Sequence, residues 1–359
     1  GGGVGKCIAE WIIDGEPSID VWAMDVARFG DYASPQYGTI KSSENYERRF
    51  IMTFPNETLP KGRKQKTTAL YDRFVNQGAV MGDSFGLENV LWFANNKEDA
   101  HEEPTIKRSR SHDYVSKEVI NVRENVGLIE VANFSKHEFK GPDARKFLDH
   151  IMAGRLPKPG RISLSPMLSY RGKLCGDLTV ACLDENEFMV FGSGAAQEMH
   201  KRWFESHLDR FNLNYKNRSD EFHGLSIAGP NSRKVLEKIV RDDVSNEKFK
   251  FRDSRRMFVG GVPAIINRIS FTGELGYEIY VAPHYQLKLY EELMEAGKEF
   301  NIKPFGGRAL MSMRLEKNWG AWTLDYRPDF TAKETGLDAF INWDKEFIGK
   351  ESAQKENSS

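Results

Sequence analysis

Apolar and polar residues alternate along SPMLSYRGKLCGDLTVACLDENEFMVFGS, and two turn-forming breaks divide the run. A period of two predicts a meander of antiparallel strands, one face buried and one more polar. The same reading gives a strand, loop, strand passage at GAVMGDSFGLENVLWFA and a strand-rich stretch at ENVGLIEVANFSKHEFKG. It gives another strand, turn, strand at GVPAIINRISFTGELGYEIYV. Helical periodicity appears between these runs, at PDARKFLDHIM, AAQEMHKRWFESHLDRF, GPNSRKVLEKIV and HYQLKLYEELMEAGKEF. Gly-Pro opens the third of these helices, with Asn231 and Ser232 as candidate caps. Helices interleaved with mainly antiparallel strands predict an α+β fold.

The first hundred residues are less regular. GKCIAEWIIDG reads as a short helix after a glycine turn, with Cys7, Ile8, Trp11 and Ile12 on one side and Gly15 as its stop. Residues 35–72 are polar and aromatic, and Pro35, Pro55 and Pro60 are expected to break any long element. Residues 95–112 are charged and poor in apolar side chains, which marks them as a linker or excursion. No internal repeat is apparent.

A chain of 359 residues has room for two or three domains. Lys plus Arg (51) balances Asp plus Glu (52), so no overall field favours nucleic acid or an anionic membrane. The basic patches Arg63 to Lys66 and Lys107 to Arg110 read as solvated loop charge. Cys7, Cys175 and Cys182 form neither a disulfide framework nor a zinc spacing, which suits a reducing compartment. No apolar run is long enough to predict a membrane span. The eight histidines show no ligand spacing and read as surface or satisfied side chains, and no metal site is expected.

Three stretches carry candidate chemistry. GGGVGK fails the dinucleotide fingerprint, because Lys6 stands three residues after Gly3. It fails the Walker pattern as well, because Cys7 stands where Ser or Thr is needed. What remains is a helix N-terminus suited to an electron-rich group, or a structural turn. Asp177 leads a strand in YRGKLCGDLTV, either as an active carboxylate or as an acceptor for turn amides. Glu278 sits inside the apolar run of RISFTGELGYEIYV. It either points outward on an alternating strand or is buried, and a buried carboxylate needs paired donors such as the adjacent N–H groups of a planar ring.

The pieces VGLIEVANFSKHEFKGPDARKFL, YRGKLCGDLTV, GLSIAGPNSRKVL, SFTGELGYEIYV, ALMSMRLEKNWGAW and DKEFIGKESA together resemble the folate-binding aminomethyltransferases, the glycine cleavage T protein and its relatives. They run in family order from about Asn125 to Ala353. SPQYGTIKSSENYERRF and its continuation to Ala94 resemble the inter-domain segment of the dimethylglycine and sarcosine dehydrogenase family, and the first residues resemble the end of that family's flavin domain. The resemblance implies a flavin-domain remnant at 1–35, a central segment at 36–100 and a folate-binding domain at 101–355. It also implies a longer parent protein carrying the rest of the flavin domain and a C-terminal barrel.

The function implied is transfer of a one-carbon unit, released from a methylated amine on FAD, to tetrahydrofolate, giving 5,10-methylenetetrahydrofolate. FAD is expected only in the full-length protein. By the same resemblance Asp177 is catalytic and Glu278 binds the pterin, with Tyr277, Phe271, Val190, Arg314 and Phe340 as further folate contacts. Phe271 replaces a tyrosine usual in the family, and Leu310 replaces a folate-contacting arginine, which favours the dehydrogenase branch over glycine cleavage. Gly192 stands near the family's strand asparagine. Gly3, Gly5 and Lys6 are expected to be a residual flavin half-site. The compartment implied is the cytoplasm of a bacterium or the mitochondrial matrix of a eukaryote. A stand-alone folate-dependent aminomethyltransferase or demethylase is the alternative, disfavoured by residues 36–93. A non-catalytic module is disfavoured by the presence of both Asp177 and Glu278.

Overall fold

The computed structural model describes residues 1–357. Helices α1 (Gly2–Asp14), α2 (Pro35–Glu47) and α3 (Tyr71–Asn76) precede a hairpin of β1 (Ala79–Ser84) and β2 (Leu87–Phe93). Helix α4 (Ser111–Glu124) leads to β3 (Val126–Glu130), β4 (Phe134–Lys140) and α5 (Ala144–Ile151). The expected meander follows as β5 (Arg161–Leu168), β6 (Leu174–Asp184) and β7 (Glu187–Ser193). Next come α6 (Gln197–Glu205), β8 (Asn214–Asn217), β9 (His223–Ala228) and α7 (Ser232–Ile239). The chain continues through β10 (Ser254–Val259), β11 (Val262–Asn267), β12 (Gly276–Val281) and α8 (Gln286–Gly297). It closes with β13 (Ile302–Pro304), α9 (Gly307–Glu316) and α10 (Lys350–Asn357).

The strands assemble into two large sheets, of order β5-β6-β7-β4-β8 and β10-β11-β12-β9-β3-β13. Every pairing is antiparallel except that of β13 with β3. The fold is therefore α+β, as the alternating periods predict.

Strand alternation sorts the side chains into layers. Leu178 and Val180 of β6 and Val190 of β7 point to one side, where Phe147, Leu148 and Ile151 of α5 and Phe204 of α6 cover them. Ile227 of β9 and Tyr277 and Ile279 of β12 point away from that sheet, under Val235 and Leu236 of α7 and Leu289 and Leu293 of α8. Between the sheets lie Ala181, Met189 and Phe191 from the first and Ala228, Ile265 and Tyr280 from the second. Phe191 and Tyr280 stack there, with ring centroids 4.6 Å apart. The result is a helix, sheet, sheet, helix sandwich whose middle layer is apolar along most of its extent.

Three expectations are corrected, and one helix joins the elements expected. The opening glycines form no turn: the chain is helical from Gly2, none of Gly2, Gly3 and Gly5 has a positive φ, and α1 buries no residue. Pro35 begins α2 rather than breaking it, because the first helical position needs no N–H, and Ser34 caps the helix by accepting from the Tyr37 amide at 3.2 Å. Helix α4 was hidden in charged sequence; its stripe of Val115, Val119 and Val122 packs into the inter-sheet core. Helix α6 stops at Glu205, short of the amphipathic stretch, where Ser206 Oγ and His207 Nδ1 approach the Trp203 carbonyl at 2.9 and 2.7 Å.

The segment before β1 is tied to the hairpin by charge. Arg63 donates Nε to Glu88 Oε1 at 2.8 Å and a guanidinium nitrogen to the other oxygen. Glu88 is buried. Residues 14–17 are held by Arg171, which donates to the carbonyls of Glu16 and Pro17, both at 3.0 Å.

Candidate functional site

Alternation on β12 decides which way Glu278 points. Tyr277 and Ile279 enter the helix-covered core, so Glu278 and Tyr280 face the other sheet. Glu278 is only 6% exposed, between Asn267 of β11 and Ser226 of β9. The Tyr280 hydroxyl donates to Glu278 Oε2 at 2.8 Å, its one hydrogen-bond donor among the described residues. Burial pushes the Glu278 carboxyl up to about 7, partly offset by the Tyr280 hydrogen bond and the charge of Lys136.

Asp177 reaches the same layer from the opposite sheet. On β6 it shares a face with Thr179 and Ala181, and Thr179 stands opposite Phe191 in register. Its Cα partner on β5 is Pro166. Asp177 is half-buried, and lost hydration pushes its carboxyl up to about 7 against a weaker hydrogen bond from its own amide. The Asp177 charge also bears on Tyr326, whose hydroxyl accepts from the Gly320 amide at 3.2 Å. Two carboxyls raised toward neutrality thus face the layer between the sheets, one from each side, and shifted carboxyls of this kind are common where protons are handled.

A third titratable group shares this layer. Lys136 stands opposite Phe191 in register and is fully buried. Its ammonium donates to the Ala132 carbonyl at 2.7 Å and the Ser219 carbonyl at 3.4 Å, and it lies 6.0 Å from the Tyr280 ring centroid. Nearby, Glu130 accepts from Gln286, and burial pushes its carboxyl up to about 7. Leu310 lines a cavity of about 40 Å³ with Asn89, Glu130 and Asn133, and the Asn89 Oδ1 is buried without a partner among the described residues.

The other expected contacts are scattered. Tyr277 lies on the far face of β12, stacked on Phe249 with its hydroxyl accepting from Arg233 Nε at 3.1 Å. Val190 is likewise turned away, into the core under α5 and α6; its neighbour Phe191 faces the site. Arg314 is buried as a brace for the following loop, donating to the Trp319 carbonyl at 2.8 Å and to Asp325. Glu316 pairs with Arg123 instead. Phe271 stacks on Trp319 of that loop at 6.1 Å, and Phe340 is 42% exposed. A side chain at Gly192 would meet Leu178 and point at Ser135 and His200, away from the inter-sheet layer. Gly3 and Gly5 have open space around them, and Lys6 pairs with Glu10 at 3.6 Å. His137 and His200 are buried but only half satisfied: His137 Nε2 and His200 Nδ1 lack partners among the described residues. No cluster of three His, Cys, Asp or Glu residues suited to a metal occurs among the described residues, and no helix is long and apolar enough to cross a membrane.

With this geometry established, the family model described as the GCVT N-terminal domain matches residues 70–345. The chain belongs to the GCVT family. The FAD dependent oxidoreductase central domain matches residues 14–68, ahead of the GCVT match. Mouse mitochondrial dimethylglycine dehydrogenase is 35% identical over 99% of this chain and 41% of its own length. Mouse mitochondrial sarcosine dehydrogenase is 28% identical over 100% of this chain and 44% of its length. The chain thus spans about two fifths of the curated relatives it matches. The GCVT architecture is shared with the glycine cleavage system aminomethyltransferase T of Bartonella henselae, at a TM-score of 0.69 and 22% identity, over 82% of this chain and 75% of that one.

Neither Lys136 nor Tyr280 was singled out by the sequence. Period-two alternation from Glu278 points to Tyr280, and the same rule places Phe191 rather than Val190 in the layer. Lys136 carries no signal in its β4 context, FSKHEFK, where it reads as a solvated charge.

Proposed function

We propose that this chain is the tetrahydrofolate-binding, one-carbon transfer portion of an FAD-dependent dehydrogenase acting on dimethylglycine, sarcosine or a similar methylated amine. The observation that carries the reading is Glu278, a carboxylate buried between two sheets whose one donor among the described residues is the Tyr280 hydroxyl. A planar heterocycle with adjacent N–H and amino groups fits that acceptor, since burial makes an unpaired carboxylate costly and paired donors remove the cost. Tetrahydrofolate, when bound, supplies two amine nitrogens that take up a one-carbon unit at the oxidation level of formaldehyde.

Glu278 would hold the pterin end, with Tyr280 fixing the carboxylate's orientation. Asp177, with its carboxyl pushed up to about 7, is suited to accept and return a proton at neutral pH. In its ionised form it stabilises positive charge developing beside it. Phe271 and Trp319 form an aromatic pair that supports the loop carrying Tyr326. No step is assigned to Gly3, Gly5 or Lys6, or to flavin. The division into a flavin-side segment (1–35), a central segment (36–100) and a folate domain (101–355) belongs to the same proposal. So does a mitochondrial matrix location in a eukaryote or a cytoplasmic one in a bacterium.

Asp177→Asn separates binding from chemistry. Tetrahydrofolate affinity should change by no more than about threefold, while formation of the 5,10-methylene product from formaldehyde and tetrahydrofolate slows at least about a hundredfold. An unchanged rate would remove Asp177 from its role.

A further inference from the structure

Lys136 is unusual among the buried groups. Its side chain is fully enclosed, yet it has no carboxylate within ion-pairing distance among the described residues. Two main-chain carbonyls, of Ala132 and Ser219, take two of the three protons an ammonium offers. The amine lies over the ring of Tyr280, whose hydroxyl is bonded to Glu278. Lys136 and Glu278 therefore approach one aromatic side chain from different sheets.

We propose that Lys136 is a positioning residue for Glu278: its buried charge sets whether Glu278 is ionised, and so whether Glu278 can accept N–H donors from a ligand. This rests on the reading of Glu278 given above. Other charged groups face Lys136 as well. Asp220 lies between β8 and β9, and Glu130 ends β3. Lys66 comes from the central segment, His223 from β9, and His137 follows Lys136 on β4 with its ring on the opposite face. Most of these are already engaged. Lys66 pairs with Asp220 at 3.1 Å, Glu130 is bonded to Gln286, and His223 Nδ1 contacts Gln286 at 3.2 Å. Glu130 and Glu278 are the two carboxylates there without an ion-pair partner among the described residues, and of the two only Glu278 is bonded to the ring that Lys136 overlies.

The electrostatics agree with the geometry. Burial lowers the Lys136 amine to about 7 while it raises the Glu278 carboxyl to about 7. Each charge favours the other, with Asp220 and Glu130 acting on Lys136 as well, so a change in the charge of one group shifts the titration of the other. A bound ligand that donates to Glu278 draws the pair toward carboxylate and ammonium together.

The test is an infrared pH titration of the protonated Glu278 carboxyl in the full chain, its band identified by its loss in Glu278→Gln. Lys136→Met should raise the Glu278 midpoint by about one pH unit or more, and Lys136→Arg should return it to the wild-type value or below. Lys136→Met should correspondingly weaken tetrahydrofolate binding about tenfold near about pH 6.5, with recovery by about pH 9. The reciprocal measurement needs no change at the lysine: in Glu278→Gln the Lys136 amine, followed by nitrogen NMR, should titrate about one unit lower. Identical Glu278 midpoints in wild type and Lys136→Met, or an unmoved Lys136 in Glu278→Gln, would overturn the proposal. If instead Glu278→Ala binds tetrahydrofolate as wild type does, the reading of the site fails, and the spectroscopic arms still decide whether the two groups are coupled.

Discussion

Replacing Glu278 by Gln should stabilise the ligand-free protein, and only at high pH. In the fold the carboxyl titrates at about 7, against about 4.5 for an unhindered glutamate. A carboxyl whose value is raised by folding contributes no penalty below its unfolded value, where both states are protonated. As pH rises toward 7 the unfolded chain ionises freely while the folded chain resists, and stability falls. The difference is about 2.5 pH units, and each unit corresponds to about 1.4 kcal/mol, so ionisation costs the folded state roughly 3 kcal/mol at alkaline pH. Glutamine keeps an oxygen for the Tyr280 hydroxyl and removes the charge. Urea unfolding of wild type and Glu278→Gln should give nearly coincident curves at about pH 4.5, with the variant more stable by about 2–3 kcal/mol at about pH 8. A variant that is less stable at pH about 8, or one whose advantage is the same at both values, would show that Glu278 does not lie uncompensated in the interior.

Two further substitutions probe the scaffold. Arg63→Ala leaves Glu88 buried without its bidentate partner, and should cost about 3–5 kcal/mol and expose residues 48–66 to proteolysis. Arg314→Ala removes the donor to the Trp319 carbonyl and Asp325, and should cost about 2–4 kcal/mol while leaving Glu278 titration unchanged; a large drop in folate affinity at constant stability would instead make Arg314 a ligand contact.

The large sheets were legible because their strands are short apolar runs bounded by turns, with period-two alternation clearest in β6, whereas β3, β9 and β12 are buried on both faces. The same rule, applied strictly, separates Glu278 from Tyr277 and Val190 from Phe191, a distinction that motif resemblance blurs because adjacent strand residues face opposite layers. Helix α4 was illegible because three valines carry its buried stripe and charged residues surround them. Helix α2 was misread because Pro35 stops a helix anywhere except at its first position. The glycine run gives no hint of helix by propensity; it continues into KCIAEWIID, and the helix extends backward from there. Lys136 could not be recognised from sequence, since only the approach of two sheets turns a strand lysine into a buried one.

The most direct measurement is a calorimetric titration of tetrahydrofolate into the purified chain and into Glu278→Ala. The account predicts binding to wild type and a loss of about 1–3 kcal/mol in the variant, the scale of a buried partner left without its acceptor. Equal affinity in the two proteins would contradict it.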